Sequence, residues 1–451
     1  MHNTTPPLTS TARSTERFLW IALLIGNLCA VVTLWFTGSS HYYLTTAGDG
    51  NLLIAFGRLT GLLLEFVILF QLILIARITP IERVFPYDRM NKLHRWIGYS
   101  LLALLFAHPL LLIIGYGAVT DHAPLAQTAS FFTEWEDVWN AFIGTILFLY
   151  ASILSIPVIR KKLRYELWHG THLLMYLAIA LSFGHQISSG DVTRGGALKY
   201  WLALNFSVFG VLLFFRFIKP VTKFLDISFR VSKVIKETAD TYSVYLTGRS
   251  IERFHFAPGQ FANISFLQKG MWSIHPFSFS QEENGETLRF TMKELGDHTK
   301  QLGTLRPGTH VLIDGPHGYF TLERAMRKKI LLIAGGIGVT PLRAMAGALE
   351  GSGKSATLLY GVRTVADIAF RSEFDALNER GVCAVHYIVS TPTEGYESGY
   401  LDQEKLLRLV PDFPERDIFI CGPAPMMDAT IALLRKLGVT QDHLHFEKFS
   451  M

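Results

Sequence analysis

Cysteine is scarce: Cys29, Cys383 and Cys421 are the 3 in 451 residues, too few and too scattered for a disulfide scaffold or a cysteine-ligated iron–sulfur cluster. Charge is scarce too. Asp, Glu, Lys and Arg make up 18% of the chain against a hydrophobic fraction of 49%, more apolar than a soluble enzyme needs. No calcium loop of EF-hand type occurs near the amino terminus, which argues against built-in calcium control. The net charge of +5 requires no nucleic acid, because basic loops beside membrane helices already account for it.

What the chain has is long apolar runs, and they lie before residue 220. They cover roughly 18 to 37, 57 to 76, 96 to 117, 141 to 159, 171 to 187 and 200 to 217, and several reach the roughly 20 residues a bilayer-spanning helix needs. Six spanning helices are expected. Gly38-Ser39-Ser40 would serve as a small-residue cleavage site after a secretory leader, but the run before it is longer than a leader core and is assigned to the first span. Arg77, Arg83, Arg89, Lys92 and Arg95 precede the third run, and Arg160, Lys161, Lys162 and Arg164 precede the fifth. Positive loops of this kind face the cytoplasm, so a six-pass membrane protein is expected, with both termini cytoplasmic.

Three histidines stand within those runs, and a fourth, His94, stands at the entrance of the third. His108 follows His94 by 14 positions and His185 follows His172 by 13, rises of about 21 and 20 Å on an ideal helix. If both helices start at the cytoplasmic side, the histidines form two pairs at two depths, and each pair could hold a haem iron through opposed neutral imidazoles. Single helix histidines are often structural, but four costly polar groups in or at the entrance of apolar runs mark a pathway. Fourteen steps nearly restore a helical face, whereas 13 leave an angular offset that a tilt or local bulge has to close. His169 competes with His172 as a ligand and, at unequal depth, is assigned instead to a haem-propionate or loop contact.

The His94/His108 and His172/His185 pattern resembles the ferric-reductase transmembrane domain of NADPH oxidases and ferric reductases. The resemblance implies two stacked b-type haems, His94 and His172 on the inner iron and His108 and His185 on the outer. Arg58 resembles the arginine of the outer oxygen-reduction pocket, where it would stabilise superoxide; the alternative is a snorkelling helix-end residue. Leu112 stands where oxidase members tend to carry a further histidine, a departure that weakens oxygen as the acceptor.

After Pro220 the pattern turns to short alternating segments such as Tyr242-Ser243-Val244-Tyr245-Leu246, which predict an antiparallel β-barrel over about 225 to 320. His275-Pro276-Phe277-Ser278 resembles the flavin segment of ferredoxin-NADP reductase-like proteins, Phe277 stacking on the ring and Ser278 hydrogen-bonding it; a plain His-Pro turn is the alternative. Lys293-Glu294-Leu295-Gly296-Asp297-His298-Thr299 resembles the second flavin segment, with Lys293, amides after Gly296 and Thr299 on the pyrophosphate. Gly315-Pro316-His317-Gly318 resembles the family's Gly-Pro-aromatic-Gly junction turn, with His317 in the aromatic position.

A strand at Ile330-Leu331-Leu332-Ile333-Ala334 leads into Gly335-Gly336-Ile337-Gly338-Val339-Thr340-Pro341 and a helix, which resembles the nicotinamide-dinucleotide site of the same reductase family. There glycines admit phosphate and the helix start offers free N–H groups. Arg363, with Arg371 as helper, either binds a ribose phosphate and favours NADPH over NADH or is a solvated surface group. Cys421-Gly422-Pro423 resembles the turn beside the nicotinamide, although a buried structural Cys421 is equally open. Phe449 resembles a terminal aromatic that covers the flavin, with two residues beyond it.

The resemblance implies a multidomain membrane protein: 1–17 a cytoplasmic segment, 18–220 a six-helix haem bundle, 221–325 an antiparallel β-barrel for FAD and 326–451 an α/β domain for NAD(P)H. Electrons would pass from NADPH through FAD and two b-type haems to oxygen, giving superoxide. A ferric chelate or an extracytoplasmic protein acceptor are the rival terminal partners.

Overall fold

A computed structural model describes residues 10–446 except 83, 86, 297 and 298. The chain divides into one compact unit within residues 8–217 and another within 218–451. Phe449 lies outside the described residues.

In the first unit the apolar runs form the helices Ser10–Thr37, Asn51–Ile75, Tyr87–Thr120, Val138–Leu154, Leu174–Ser188 and Gly195–Leu213, with shorter helices between. Four described helical stretches are long and apolar enough to cross a membrane, or five if Pro124–Glu134 and Val138–Leu154, bent by 113°, make one span. Two expected spans are interrupted. The run over 141–159 is cut because Pro157 holds Ile156 in extended backbone, leaving a helix of 17 residues. The run over 171–187 breaks at Leu173, between the helices Tyr165–His172 and Leu174–Ser188.

Glycine sets how closely the helices Asn51–Ile75 and Tyr87–Thr120 approach. A β-carbon on Gly57 would sit 2.8 Å from Leu112, and one on Gly115 would sit 2.8 Å from Ile54. Small residues at such contacts let membrane helices pack backbone to backbone, where apolar side chains gain nothing over lipid. Polar links cross the same unit: Trp35 Nε1 donates to Ala55 O (2.7 Å), Trp201 Nε1 to Gln186 Oε1 (3.0 Å), and Gln186 Nε2 to Glu65 Oε2 (2.9 Å).

The second unit begins with two three-stranded antiparallel sheets. One has the order β1 (Arg230–Thr238), β2 (Thr241–Thr247), β5 (Leu288–Lys293); the other has β4 (His275–Ser278), β3 (Phe261–Phe266), β6 (Val311–His317). Alternate residues of both point into one apolar core that includes Val244, Leu246, Ile264, Phe266, Phe290 and Ile313.

A six-stranded parallel sheet follows, made of β7 (Lys329–Gly335), β8 (Ser355–Val362), β9 (Cys383–Val389), β10 (Glu397–Ser398), β11 (Asp417–Cys421) and β12 (Leu444–Phe446). Its order is β10-β9-β8-β7-β11-β12. The chain steps outward from β7 to β10 and then returns to place β11 on the other side of β7. That reversal opens a crevice at the carboxyl ends of β7 and β11, the usual ligand position in such sheets.

Candidate functional site

The four membrane histidines meet in two pairs. The ring centroids of His94 and His172 are 6.3 Å apart, and those of His108 and His185 are 6.0 Å apart. Two imidazoles on opposite sides of one metal, with metal–nitrogen bonds of ~2.0–2.1 Å, place their centroids ~6 Å apart, so both spacings fit. Among the described residues no three or more His, Cys, Asp or Glu converge as a metal cage. Pairs of imidazoles therefore suit a metal whose remaining ligands come from a macrocycle, which is the ligation of a haem. The break at Leu173, directly after His172, frees the 13-residue spacing from ideal helical geometry.

Neighbouring groups fix some of the ring nitrogens. His108 Nδ1 is 2.8 Å from Gly57 O, and since a carbonyl only accepts, Nδ1 carries the proton and Nε2 keeps its lone pair for a metal. A β-carbon on Gly61 would lie 2.6 Å from the same imidazole. Gly57 and Gly61 thus serve the site as well as the packing. A small-xxx-small spacing inside an apolar run is the signal that would have found them.

Arg58 is part of a polar cluster. Its Nη1 donates to Ser39 Oγ (2.7 Å) and lies 3.9 Å from Asp191 Oδ1, its Nη2 donates to Tyr116 OH (2.6 Å), and its guanidinium stands over the Tyr43 ring. Asp191 in turn accepts from Ser40 N at 2.6 Å and Ser40 Oγ at 2.6 Å. The guanidinium is therefore held by the protein and its charge is offset by a buried carboxylate.

In the flavin segments, His275, Pro276, Phe277 and Ser278 are all of β4, paired with Phe261 to Ile264 of β3. Pro276 is exposed and Ser278 buried. Lys293 pairs with Asp240 at 3.2 Å. Thr299 Oγ1 accepts from Leu295 N (2.9 Å) and Gly296 N (3.1 Å), which turns its hydroxyl into its own loop, and the residues directly after Gly296, 297 and 298, lie outside the described residues. Gly315 packs its Cα face on Ala262, His317 is buried 3.3 Å from Asp314, and Gly318 has a left-handed φ of 92° that suits glycine.

At the sheet crevice the glycines divide by role. A β-carbon on Gly338 would sit 2.5 Å from Cys421 O and 2.6 Å from Gly422 Cα, one on Gly335 2.2 Å from Met426 Sδ, and one on Gly422 3.1 Å from Gly335 Cα. These three let the turns after β7 and β11 touch. Gly336, with φ of 51° and nothing within 4 Å of its missing side chain, is the glycine that leaves open space. Cys421 is buried in the apolar core of the sheet and Pro423 stands at the N-cap of the helix Ala424–Lys436. Thr340 Oγ1 donates to Ile337 O (3.0 Å), and Pro341 is buried beside it in the helix Val339–Gly347. Arg363 is exposed, whereas Arg371 lies 3.7 Å from Asp375. Asp367 accepts from Thr364 N and Oγ1, at 2.9 and 2.7 Å, which turns its charge into its own loop.

One cluster was invisible in the sequence. Arg289 of β5 grips Glu373 with both nitrogens, Nη1 to Oε1 at 2.5 Å and Nη2 to Oε2 at 3.1 Å, while Arg343 Nε donates to Glu373 Oε2 at 2.5 Å and Nη1 bonds Glu282. The network ties the antiparallel sheets to the helices Val339–Gly347 and Arg371–Glu379. Burial alone would raise the Glu373 carboxyl, but hydrogen bonding and charge from Arg289 and Arg343 hold it below its usual 4.5. A depressed carboxylate stabilises the fold above its unfolded pKa and loses that contribution as pH falls through the folded value. Glu373→Gln, which leaves Arg289 buried without its counter-charge, is expected to cost about 3 kcal/mol. Thermal unfolding from pH 7 down to 3 is the check: the wild type loses stability below about pH 4.5 faster than the variant does.

Three family models match in chain order: a ferric reductase like transmembrane component over 57–183, a FAD-binding domain over 227–320 and an oxidoreductase NAD-binding domain over 332–431. The chain is 30% identical to the glycine betaine monooxygenase reductase subunit of Chromohalobacter salexigens, over 49% of this chain and 63% of that protein. It is 27% identical to the toluate 1,2-dioxygenase electron transfer component of Pseudomonas putida, over 49% and 66%. The alignments thus span less than two thirds of either relative. A solved FAD/NAD binding domain of nitric oxide dioxygenase from Vibrio cholerae O1 biovar El Tor is 23% identical, covering 50% of this chain and 99% of that one, with a TM-score of 0.45.

Proposed function

We propose, starting from a chain that has the architecture of the NADPH oxidase/ferric reductase superfamily with a ferredoxin-NADP reductase-like dehydrogenase half, that it is a transmembrane NADPH oxidase. When bound, FAD would take a hydride from NADPH, and two b-type haems would carry its electrons singly to extracytoplasmic oxygen, giving superoxide. The observation that carries this reading is the pair of imidazole spacings, 6.3 and 6.0 Å, that set His94 and His108 of the one helix Tyr87–Thr120 against His172 and His185 of the two helices that meet at Leu173. His94 and His172 would hold one iron, and His108 and His185 the other.

The other residues bind and orient. Phe277 and Ser278 would meet the flavin ring, and Lys293 would contribute to its pyrophosphate. The Gly335 to Gly338 turn and the amino terminus of the following helix would take the nucleotide phosphates. Exposed Arg363, with Arg371, would favour the extra phosphate of NADPH over NADH. Gly422 and Pro423 would bring the β11 turn close to the nicotinamide, and buried Cys421 would pack it, with no thiolate chemistry required.

A second reading draws on Arg58. Its engagement with Ser39, Tyr116 and Asp191, together with Leu112 four positions after His108, favours an acceptor other than oxygen. A ferric chelate or an extracytoplasmic protein would then be reduced. The test is anaerobic reduction of FAD- and haem-loaded protein by NADPH, followed by rapid mixing with oxygen or with a ferric chelate. Fast oxygen-dependent reoxidation with stoichiometric superoxide supports the oxidase, whereas slow oxygen reaction with fast ferric reduction transfers the assignment to metal reduction.

A further inference from the structure

The His94/His172 pair has a neighbour that decides where one proton sits. Ser155 Oγ is 2.8 Å from Ala151 O, 3.2 Å from Trp168 Nε1 and 3.1 Å from His172 Nδ1. A hydroxyl offers one proton and two lone pairs, a carbonyl only accepts and an indole N–H only donates. The Ser155 proton therefore goes to Ala151 O, and Trp168 takes one lone pair. The second lone pair is what remains for His172, so its Nδ1 is the protonated nitrogen and Nε2 presents a lone pair.

Trp168 also stacks on His172, with ring centroids 5.5 Å apart and planes 24° from parallel, and the Arg160 guanidinium stands 4.1 Å from the Trp168 ring. The imidazole is thus held in plane by Trp168 of its own helix and in tautomer by Ser155, which caps the helix ending at Leu154. On its partner His94, Nδ1 is buried with no side-chain hydroxyl bonded to it among the described residues.

We propose that Ser155 is a positioning residue for His172: by accepting a hydrogen bond from Nδ1–H it fixes the tautomer, aims Nε2 at the iron and raises the basicity of that nitrogen. This rests on the haem reading above. Hydrogen bonds to the far nitrogen of a metal-bound imidazole strengthen the ligand, and their loss typically costs 10- to 100-fold in metal affinity. A more basic ligand favours ferric over ferrous iron, so removing the hydroxyl raises the midpoint potential of that haem. A roughly tenfold loss confined to the ferric state corresponds to ~59 mV for a one-electron couple.

The experiment is a spectroelectrochemical titration of the full-length, haem-loaded protein in lipid nanodiscs, comparing wild type, Ser155→Ala and Ser155→Thr. Two bis-imidazole haems in the wild type support the haem reading, and their absence overturns that reading independently of Ser155. With both haems bound, Ser155→Ala is expected to raise one midpoint and leave the other, while Ser155→Thr, which keeps the hydroxyl, retains both wild-type values. Two unchanged midpoints in Ser155→Ala overturn the proposal. If Ser155→Ala fails to hold the haem, wild-type midpoints in Ser155→Thr sustain the role of the hydroxyl, and loss of haem there as well overturns it.

Discussion

Leucine in place of His108 or His172 is expected to lower the b-type haem content to about half while flavin binding and its reduction by NAD(P)H persist. The two pairs use different residues, and each iron would lose one of its two protein ligands in only one of the variants. The flavin and nucleotide segments belong to the other compact unit, so NAD(P)H-dependent flavin reduction should keep its wild-type rate. Electron delivery beyond the flavin is expected to fall by about 100-fold in either variant, at the upper end of what disturbing a metal ligand costs. Gly61→Val should mimic His108→Leu, because any β-carbon there occupies the space of the His108 imidazole. Haem content by pyridine haemochrome and flavin reduction by stopped flow are the two measurements. Wild-type haem content in both histidine variants would remove the pairs as ligands.

The histidine pairs were legible in the sequence because their spacing along apolar runs is a local quantity, and so was the strand–glycine–helix pattern of 330 to 345. The length of individual spans was only partly legible. Hydropathy averages over Pro157, but the backbone of Ile156 does not, and the expected fourth run ends early there. The angular misfit between His172 and His185 pointed to an irregularity without locating it; the break at Leu173 supplies it.

Contacts between distant segments were not legible at all. Arg289 and Glu373 are 84 residues apart, and Arg58 and Asp191 meet from opposite ends of the helical unit. Neither charge stands in a local pattern that names its partner. The same holds for Ser155, which nothing marks inside the apolar run over 141 to 159 until His172 is folded against it. Glycine roles were legible only in part for a related reason. The glycine-rich turn after β7 was expected to permit close phosphate approach; the sheet order also brings the turns after β7 and β11 together, so that Gly335, Gly338 and Gly422 allow contact between the turns as well.

That division yields the second large effect. Gly338→Ala is expected to abolish NAD(P)H-dependent flavin reduction, whereas Gly336→Ala is expected to retain the fold and lose activity only in part. At Gly338 the added carbon meets backbone atoms of Cys421 and Gly422 at 2.5 and 2.6 Å, which no side-chain rotation relieves. One of the two turns has to move, at a cost of about 1–3 kcal/mol for overpacking, and the crevice between β7 and β11 opens with it. At Gly336 the carbon meets nothing, and the cost is that of a left-handed φ of 51° in a residue other than glycine, about 1 kcal/mol. Measured on full-length protein, the flavin absorbance of Gly338→Ala should match wild type while its bleaching by NADPH is lost and its thermal midpoint drops. Equal behaviour of the two variants would mean that phosphate admission, and not the contact between the turns, is what these glycines supply.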